Sequence, residues 1–372
     1  MTVRPETPSC RPERFAVVVL NWNGRDDTLA CLESLRAVEY PNWEVLVVDN
    51  GSEDESLEAI RTGYAEASVI EAGSNLGYAG GNNLGIRVAL ERGADYVLVL
   101  NNDTTVAPDV LRAFAQTARE HPDAAVLGAK IYLFDDPQRL WYAGTRWNAM
   151  GAEFEHIGNR VLDNGDDFVR VCDTEYACGC AMLLRASAIR AVGLLDEEFF
   201  LLFEETDWCF RAKAAGFRCL FAPAAKVWHR VSSSFGGRTS VLYEYFFLRN
   251  RLLWAKRHLG VRLRVAVWIS TLGVLFPLLG VIGPLWHLLC GRCGPRQAYW
   301  QTRREAVQWL HRFREPWSAR MLVRRARWRG LRDYLSRRFG DCPEWIRTAA
   351  RQSRSPRTAV ASALGGFWGG GV

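Results

Sequence analysis

Phe15-Ala-Val-Val-Val-Leu-Asn-Trp-Asn-Gly24 is a short apolar run that stops abruptly in polar residues. The run is too short for a helix and rich in β-branched residues, which predicts a strand buried on both faces. Beyond it, Leu29, Leu32 and Leu35 recur at every third position, a helical and not a strand period, and Tyr40-Pro41 closes that helix. Val45-Leu-Val-Val48, Val69-Ile70 and Tyr96-Val-Leu-Val-Leu100 predict three more strands. Helices fit near 53–62, 80–92 and 108–120, the last with Pro108 at its first turn. This alternation predicts an α/β fold, a Rossmann-like, mostly parallel sheet flanked by helices, with ligands at the carboxyl ends of the strands.

Those strand ends are polar. The first ends in Asn21-Trp22-Asn23-Gly24, the second in Asp49-Asn50-Gly51-Ser52, the fourth in Asn101-Asn102-Asp103. One such ending is ordinary turn chemistry; on three strands it makes one polar edge. Amides and a carboxylate there can bond a base and a ribose. An Asp can hold a divalent ion against a diphosphate, because hard cations prefer oxygen ligands. Asn75-Leu-Gly77-Tyr-Ala-Gly80-Gly81-Asn82-Asn83 reads as a glycine-rich turn opening a helix. It is neither a Walker loop nor the dinucleotide fingerprint, but backbone N–H groups at a helix start favour an anion.

Phe203-Glu204-Glu205-Thr206-Asp207-Trp208-Cys209-Phe210-Arg211 places three carboxylates among apolar residues. The plain reading is a helix start, with acids in the first turn and Asp207 paired to Arg211 one turn on. The apolar flanks also suit a partly buried site. His229, followed by Arg230 and the hydroxyls of Ser232 to Ser234, suits a phosphate or metal–diphosphate group.

The chain of 372 residues is 49% hydrophobic and 24% charged, which excludes a disordered, collagen-like or short disulfide-stapled protein. Only one stretch is apolar enough to span a bilayer, which excludes a polytopic membrane protein. The ten cysteines are scattered and the first fourteen residues are polar with three prolines, so reduced thiols and no secretory leader are expected. The close pairs Cys178/Cys180 and Cys290/Cys293 lack the further ligands of a zinc site. The net charge of +6 conceals a split: residues 291–372 carry 18 Arg, no Lys and 5 acids, against 29 basic and 36 acidic residues before them. An acidic body and a basic tail are expected to do different jobs.

Taken in order, the motifs resemble those of the family 2 glycosyltransferases of GT-A fold, especially the bacterial rhamnosyltransferase-like branch. The matching residues are Val19-Leu-Asn-Trp-Asn23-Gly, Val47-Val-Asp49-Asn-Gly-Ser52, the stretch from Asn75 to Asn83, Leu100-Asn-Asn-Asp103, Glu204-Glu-Thr-Asp207, His229 and Arg249-Asn250. The resemblance covers roughly 14–260. It implies that Asp49 binds the nucleotide base beside Asn21, Asn23 and Asn50. It implies a nucleotide-sugar pocket lined by Asn75, Gly77, Gly80, Asn82 and Asn102. Asp103 and His229 would hold Mg2+ or Mn2+ with the diphosphate. Glu205 stands where the family has its base, usually an Asp; its extra methylene leaves Glu204 and Asp207 as alternatives. Arg211, Arg230 and Ser232 fall on the acceptor and phosphate side. Asn101 replaces the first Asp of the two-Asp metal motif of many relatives, so the ion is expected to arrive mainly with the diphosphate.

Val265 to Cys290 carries no formal charge but is broken by Pro277 and Pro284. Both its flanks are basic, which favours a re-entrant hairpin or interfacial helix over a single span. Met321, Trp328, Leu331 and Leu335 fall on one helical face among Arg324, Arg325, Arg327 and Arg329, the pattern of a basic amphipathic helix on anionic lipid. Nucleic acid is the weaker reading of this Arg-rich tail, because a long apolar segment is attached to it. The expected organisation is a disordered 1–13, a catalytic domain over 14–260, a membrane-associated segment over 261–292, basic amphipathic helices over 293–345 and a disordered 346–372. The reading is an inverting glycosyltransferase at the cytoplasmic face of the membrane, peripheral or monotopic. It would move a sugar, plausibly rhamnose, from a nucleoside-diphosphate donor to a lipid-linked saccharide in cell-envelope polysaccharide synthesis, without a nucleic-acid partner. The alternatives are transfer to polyprenyl phosphate, using Arg230 and Arg238 at the acceptor mouth, and a non-catalytic nucleotide-sugar-binding adaptor.

Overall fold

β1 (Phe15–Asn21) alternates between two cores: Phe15, Val17 and Val19 pack into one, Ala16 and Val18 into the other, all fully buried. This two-sided burial is why the run is continuously apolar. The computed structural model describes residues 11–148, 152–231, 240–275 and 317–353. β1 lies between β2 (Trp43–Asp49) and β4 (Tyr96–Asn101), both parallel to it, and β3 (Ser68–Glu71) adds in parallel to β2. β11 (Ala181–Arg185) joins β4 antiparallel, followed by β6 (Ala124–Leu133), β12 (Arg218–His229) and the short β10 (Cys172–Asp173). β5 (Thr104–Val106) pairs with β12, β7 (Leu140–Tyr142) with β6, and β8 (Thr145–Asn148) with β9 (Glu153–His156) in a separate hairpin.

Helices cover both faces. Cys31, Leu32 and Leu35 of α1 (Arg25–Arg36) and Phe114 of α4 (Val110–Glu120) fill one core, with Ile60 of α2 (Ser56–Gly63). The other core takes Ile86 of α3 (Gly77–Glu91), Ile189 of α5 (Ala186–Val192) and Trp208 of α6 (Glu204–Ala214). α3 begins at Gly77, inside the glycine-rich stretch and not after it. The glycines serve close packing: a methyl group at Gly81 would meet Leu20 Cδ1 at 2.4 Å, and one at Gly85 would meet Val18 Cγ1 at 2.4 Å. The helix therefore lies almost on the sheet, and at its start the Tyr78 and Ala79 N–H groups donate to the Phe200 carbonyl.

The C-terminal helices are not a separate appendage. α7 (Val241–His258), α8 (Val261–Leu275), α9 (Trp317–Leu335) and α10 (Glu344–Ser353) share two apolar clusters, one of which includes Phe199. α9 sits close on α7, where a methyl at Gly330 would meet the Tyr245 carbonyl at 2.8 Å, and the buried Arg327 is ion-paired with Glu244. The lipid-facing stripe expected on α9 is therefore split: Leu331 is 7% exposed and turned inward, while Met321, Trp328 and Leu335 are 37%, 39% and 64% exposed. The tail expected to be disordered from 346 contains ordered helix, because Ile346 and Ala350 of α10 pack against this layer. At the other end, Glu13 is held by Tyr40 and Arg119. Among the described residues no helix is long and apolar enough to cross a membrane; residues 276–290, Ser232 and Arg238 lie outside them.

Candidate active site

At the carboxyl ends of β1 and β2 the polar side chains bind one another. Asn21 is fully buried; its Nδ2 donates to Asp49 Oδ1 at 2.9 Å and to Ser52 Oγ at 3.1 Å, and its Oδ1 accepts from Thr28 Oγ1 at 2.8 Å. Asp49 Oδ2 accepts the Ser52 N–H at 3.1 Å. Asn23 is exposed, with its Oδ1 accepting the Glu53 N–H at 2.7 Å. Asn50 reaches across to Asn75 Oδ1 and the Gly77 carbonyl, and accepts the Leu76 N–H. Asn102 Nδ2 donates to Thr28 Oγ1 at 2.9 Å. The residues expected to touch a nucleotide sugar thus stand together, but Asn21 and Asn50 spend their polar atoms on fixing Asp49 and Asn75. Asn82 departs from this: Nδ2 bonds the Tyr78 carbonyl, while Oδ1 is buried with no hydrogen-bond partner.

β5 pairs Thr104 with His229 of β12, and this register sets Asp103 beside His229, with Nε2 at 3.0 Å from Oδ1. The Arg230 N–H donates to the Asp103 carbonyl at 2.9 Å. His229 packs on Trp141, ring centroids 4.8 Å apart, and its buried Nδ1 has no hydrogen-bond partner. A carboxylate and an imidazole are donors that Mg2+ or Mn2+ accepts. Among the described residues no third His, Cys, Asp or Glu completes a cluster. The pair therefore fits an ion whose remaining ligands are diphosphate oxygens. Arg230 is committed to Asp27 at 2.9 Å and lies over the Phe134 ring.

Glu204 and Glu205 open α6, directly after Phe200, Leu202 and Phe203, whose φ values are +63°, +71° and +75°. For residues with a Cβ this conformation costs about 1–2 kcal/mol each, so the turn is held by its surroundings. Burial, and then the charge of Glu205, push the Glu204 carboxyl well above the usual carboxylate range. Burial pushes Glu205 up to about 7 against the opposing pull of backbone N–H groups at Glu205, Thr206 and Phe203. Each has a buried Oε2 without a hydrogen-bond partner. Asp207 differs: burial would raise it, but His258 and Arg211 hold it below its ordinary value. Its Oδ1 meets His258 Nε2 at 2.7 Å and its Oδ2 meets Arg211 Nε at 2.7 Å. Arg211 gives its other nitrogens to the Val192 and Leu194 carbonyls. Arg211 is therefore an anchor of α6 and not a phosphate or acceptor contact, and Asp207 has no free oxygen with which to act as a base.

The segment Ala177–Cys180 joins the two groups. The Asn101 N–H donates to the Cys180 carbonyl at 2.9 Å, tying the segment to the end of β4. On its other flank Tyr78 OH donates to the Gly179 carbonyl, and a methyl at Gly179 would lie 3.7 Å from Glu205 Cβ. Burial raises the Cys178 thiol, and the negative charges of Glu205 and Asp103 both raise it further. Glu205 therefore borders this segment, and Asp103 follows two residues after the segment's tie to Asn101. Tyr78, also raised by burial and then by Glu204 and Glu205, belongs to this site. Sequence reading passed over it although it lies inside the quoted Asn75–Asn83 stretch.

A central parallel sheet with polar strand ends, an Asp–His pair and, across one loop, the buried Glu204 beside the half-buried Glu205 define a domain of GT-A type. The family model described as glycosyl transferase family 2 matches residues 16–193 of this chain; Glu204, Glu205 and His229 lie beyond that match. Over 204 residues it is 27% identical to a low-salt glycan biosynthesis hexosyltransferase of Haloferax volcanii, covering 54% of this chain and 61% of that protein. Over 219 residues it is 27% identical to an N-acetylglucosaminyl-diphospho-decaprenol L-rhamnosyltransferase of Mycobacterium tuberculosis, covering 54% and 70%. The chain thus spans less than two thirds of the archaeal relative's length. A mannosyltransferase of Pyrobaculum calidifontis, solved with GDP-Man and Mn2+, shares the fold with a TM-score of 0.52 at 14% identity, covering 88% of each chain.

Proposed function

We propose that this chain is an inverting hexosyltransferase that moves a sugar, rhamnose being the favoured candidate, from a nucleoside-diphosphate donor to a lipid-linked saccharide. The observation that carries the reading is that the Ala177–Cys180 segment is tied at Cys180 to Asn101, two residues before Asp103, and lies beside Glu205 at Gly179. Glu205 takes the proton of the acceptor hydroxyl as that oxygen attacks the anomeric carbon, and the bond from that carbon to the diphosphate breaks on the opposite face. A single base serves inversion. Asp103 and His229 would hold a divalent ion, which would supply positive charge against the departing diphosphate. The Asn21–Asp49–Ser52 network keeps Asp49 in place for the nucleotide.

The functions of the mycobacterial and archaeal relatives support a hexosyl donor and, for the former, a prenyl-diphosphate-linked N-acetylglucosamine as acceptor. Mn2+ in the mannosyltransferase supports the ion. Placement at the cytoplasmic membrane surface is supported by the exposed Met321, Trp328 and Leu335 on an Arg-rich helix. The test is release of nucleoside diphosphate from dTDP-rhamnose, GDP-mannose and UDP-sugars with Mn2+, with and without prenyl-diphosphate-linked N-acetylglucosamine. Release with one donor, stimulated by the lipid acceptor, is expected. Equal transfer to soluble sugars in detergent-free buffer would remove the lipid-linked acceptor, and no release from any donor would remove the transferase.

A further inference from the structure

The turn before Glu204 is held from outside by two side chains of α7. Asn250 Nδ2 donates to the carbonyls of Phe199, Leu201 and Leu202, each at 2.8 Å. Arg249 is fully buried; its Nη2 donates to the carbonyls of Phe199 at 3.0 Å and Glu198 at 3.2 Å. Arg249 Nε also donates to Asn250 Oδ1 at 2.9 Å. That contact fixes the amide's orientation, because its oxygen must face the guanidinium and its NH2 must then face the carbonyls. Arg249 Nη1 reaches the Gly340 carbonyl at 2.7 Å, and the Gly340 N–H returns to the Glu198 carbonyl at 2.9 Å.

The other face of the turn meets the donor-side helix. The Phe200 carbonyl accepts the Tyr78 N–H at 2.7 Å at the start of α3, and a methyl at Gly77 would meet that carbonyl at 2.4 Å. Phe200 stacks on Phe246 of α7, ring centroids 5.5 Å apart. Three left-handed residues with large side chains persist only where the surroundings over-determine them, and here the surroundings are these two α7 residues and the start of α3.

We propose that Arg249 and Asn250 are positioning residues: they clamp the left-handed turn 199–203 so that Glu205 is presented to the donor side at a fixed distance and shielded from water. The proposal rests on Glu205 being the base. The groups that face the Glu204–Glu205 pair are Asp207 and Cys209 on α6, Tyr78 on α3, and Tyr176 and Cys178 before β11. None belongs to the clamp, so a clamp variant alters the geometry of the site without removing a charge from it.

The test compares Asn250→Ala, Arg249→Lys and Glu205→Gln in the full chain. It follows nucleoside diphosphate release from dTDP-rhamnose, or from whichever donor the screen above selects, across pH 5–9. Donor affinity by calorimetry serves as the check of folding. The clamp predicts a fall in kcat of about 10- to 100-fold in Asn250→Ala, unchanged donor affinity, and an acidic limb displaced toward the ordinary carboxylate range as the turn relaxes and water reaches Glu205. Arg249→Lys, which keeps the charge, is expected to retain more activity. Should Asn250→Ala not fold, Asn250→Ser is measured in the same way. A folded variant with wild-type kcat and an unmoved acidic limb overturns the proposal. Wild-type turnover in Glu205→Gln would instead overturn the base assignment beneath it.

Discussion

The carboxyl ends of β1 and β2 and the turn that precedes α6 are both rich in polar side chains, yet they are built in opposite ways. At the first, Asn21, Thr28, Asp49 and Ser52 satisfy one another. At the second, two adjacent glutamates each keep a buried oxygen unpartnered on a turn with three left-handed residues. A closed network gives rigidity at low cost. Unpartnered buried carboxylates lower stability and are kept where chemistry needs a proton to move. The ends of β1 and β2 are thus a finished surface, and the turn before α6 holds groups whose ionisation is set against them.

The sharpest way to break this contrast is Glu205→Gln. On the present reading kcat falls about 10³-fold with donor affinity unchanged in calorimetry; equal activity would make the second region merely a helix start. Asp103→Asn is expected to cost about 100-fold in kcat/KM, and raising Mn2+ should recover part of the loss. In the wild type, Glu205 must be ionised to accept a proton. Because its pKa is pushed up to about 7, kcat should rise about tenfold per pH unit below that point and level off above it. Asn21→Ala removes support from Asp49 and breaks the bonds to Ser52 and Thr28. It should raise the donor KM by about 5- to 30-fold, equivalent to about 1–2 kcal/mol, and leave kcat in place. The smallest effect is thermodynamic. Glu204 binds its proton more tightly folded than unfolded, so the native state loses stability as pH rises above the ordinary carboxylate range. Glu204→Gln should therefore raise Tm at pH 8 and leave it almost unchanged at pH 4.

The strands that carry the donor edge were readable because burial on both faces leaves an uninterrupted apolar run, as in β1, β2 and β4. Two long strands were not. β12 contains Pro223 and shifts register between Ala222 and Lys226, so it reads as two fragments. β6 carries Gly128 and a buried Lys130, whose charge is met by Asp163 from a distant loop. The same limit applies within the site. Motif order located Asn21, Asp49, Asp103, Glu205 and His229 on neighbouring strand ends and turns. It could not say that Asn21 and Arg211 spend their donors inside the protein, because spacing reports which residues share an edge and not where their hydrogen bonds go. On α9 helical periodicity grouped Met321, Trp328, Leu331 and Leu335 on one face, of which only Leu331 is buried; the small Ala326 and Gly330 mark the side that seats against α7.

The guanidinium of Arg249 has a practical corollary for anyone shortening this chain. A stop codon after residue 260, where the sequence alone suggests the catalytic unit ends, would delete the Gly340 carbonyl. It would also delete Asp333, the acceptor of the Tyr245 hydroxyl beside that guanidinium. The remainder would leave Arg249 Nη1 with only the Tyr245 hydroxyl as partner and uncover that side of the guanidinium, at a cost of about 1–3 kcal/mol. Expression trials should therefore keep residues 317–353, and a soluble but inactive short form would point to this lost anchorage before any missing membrane.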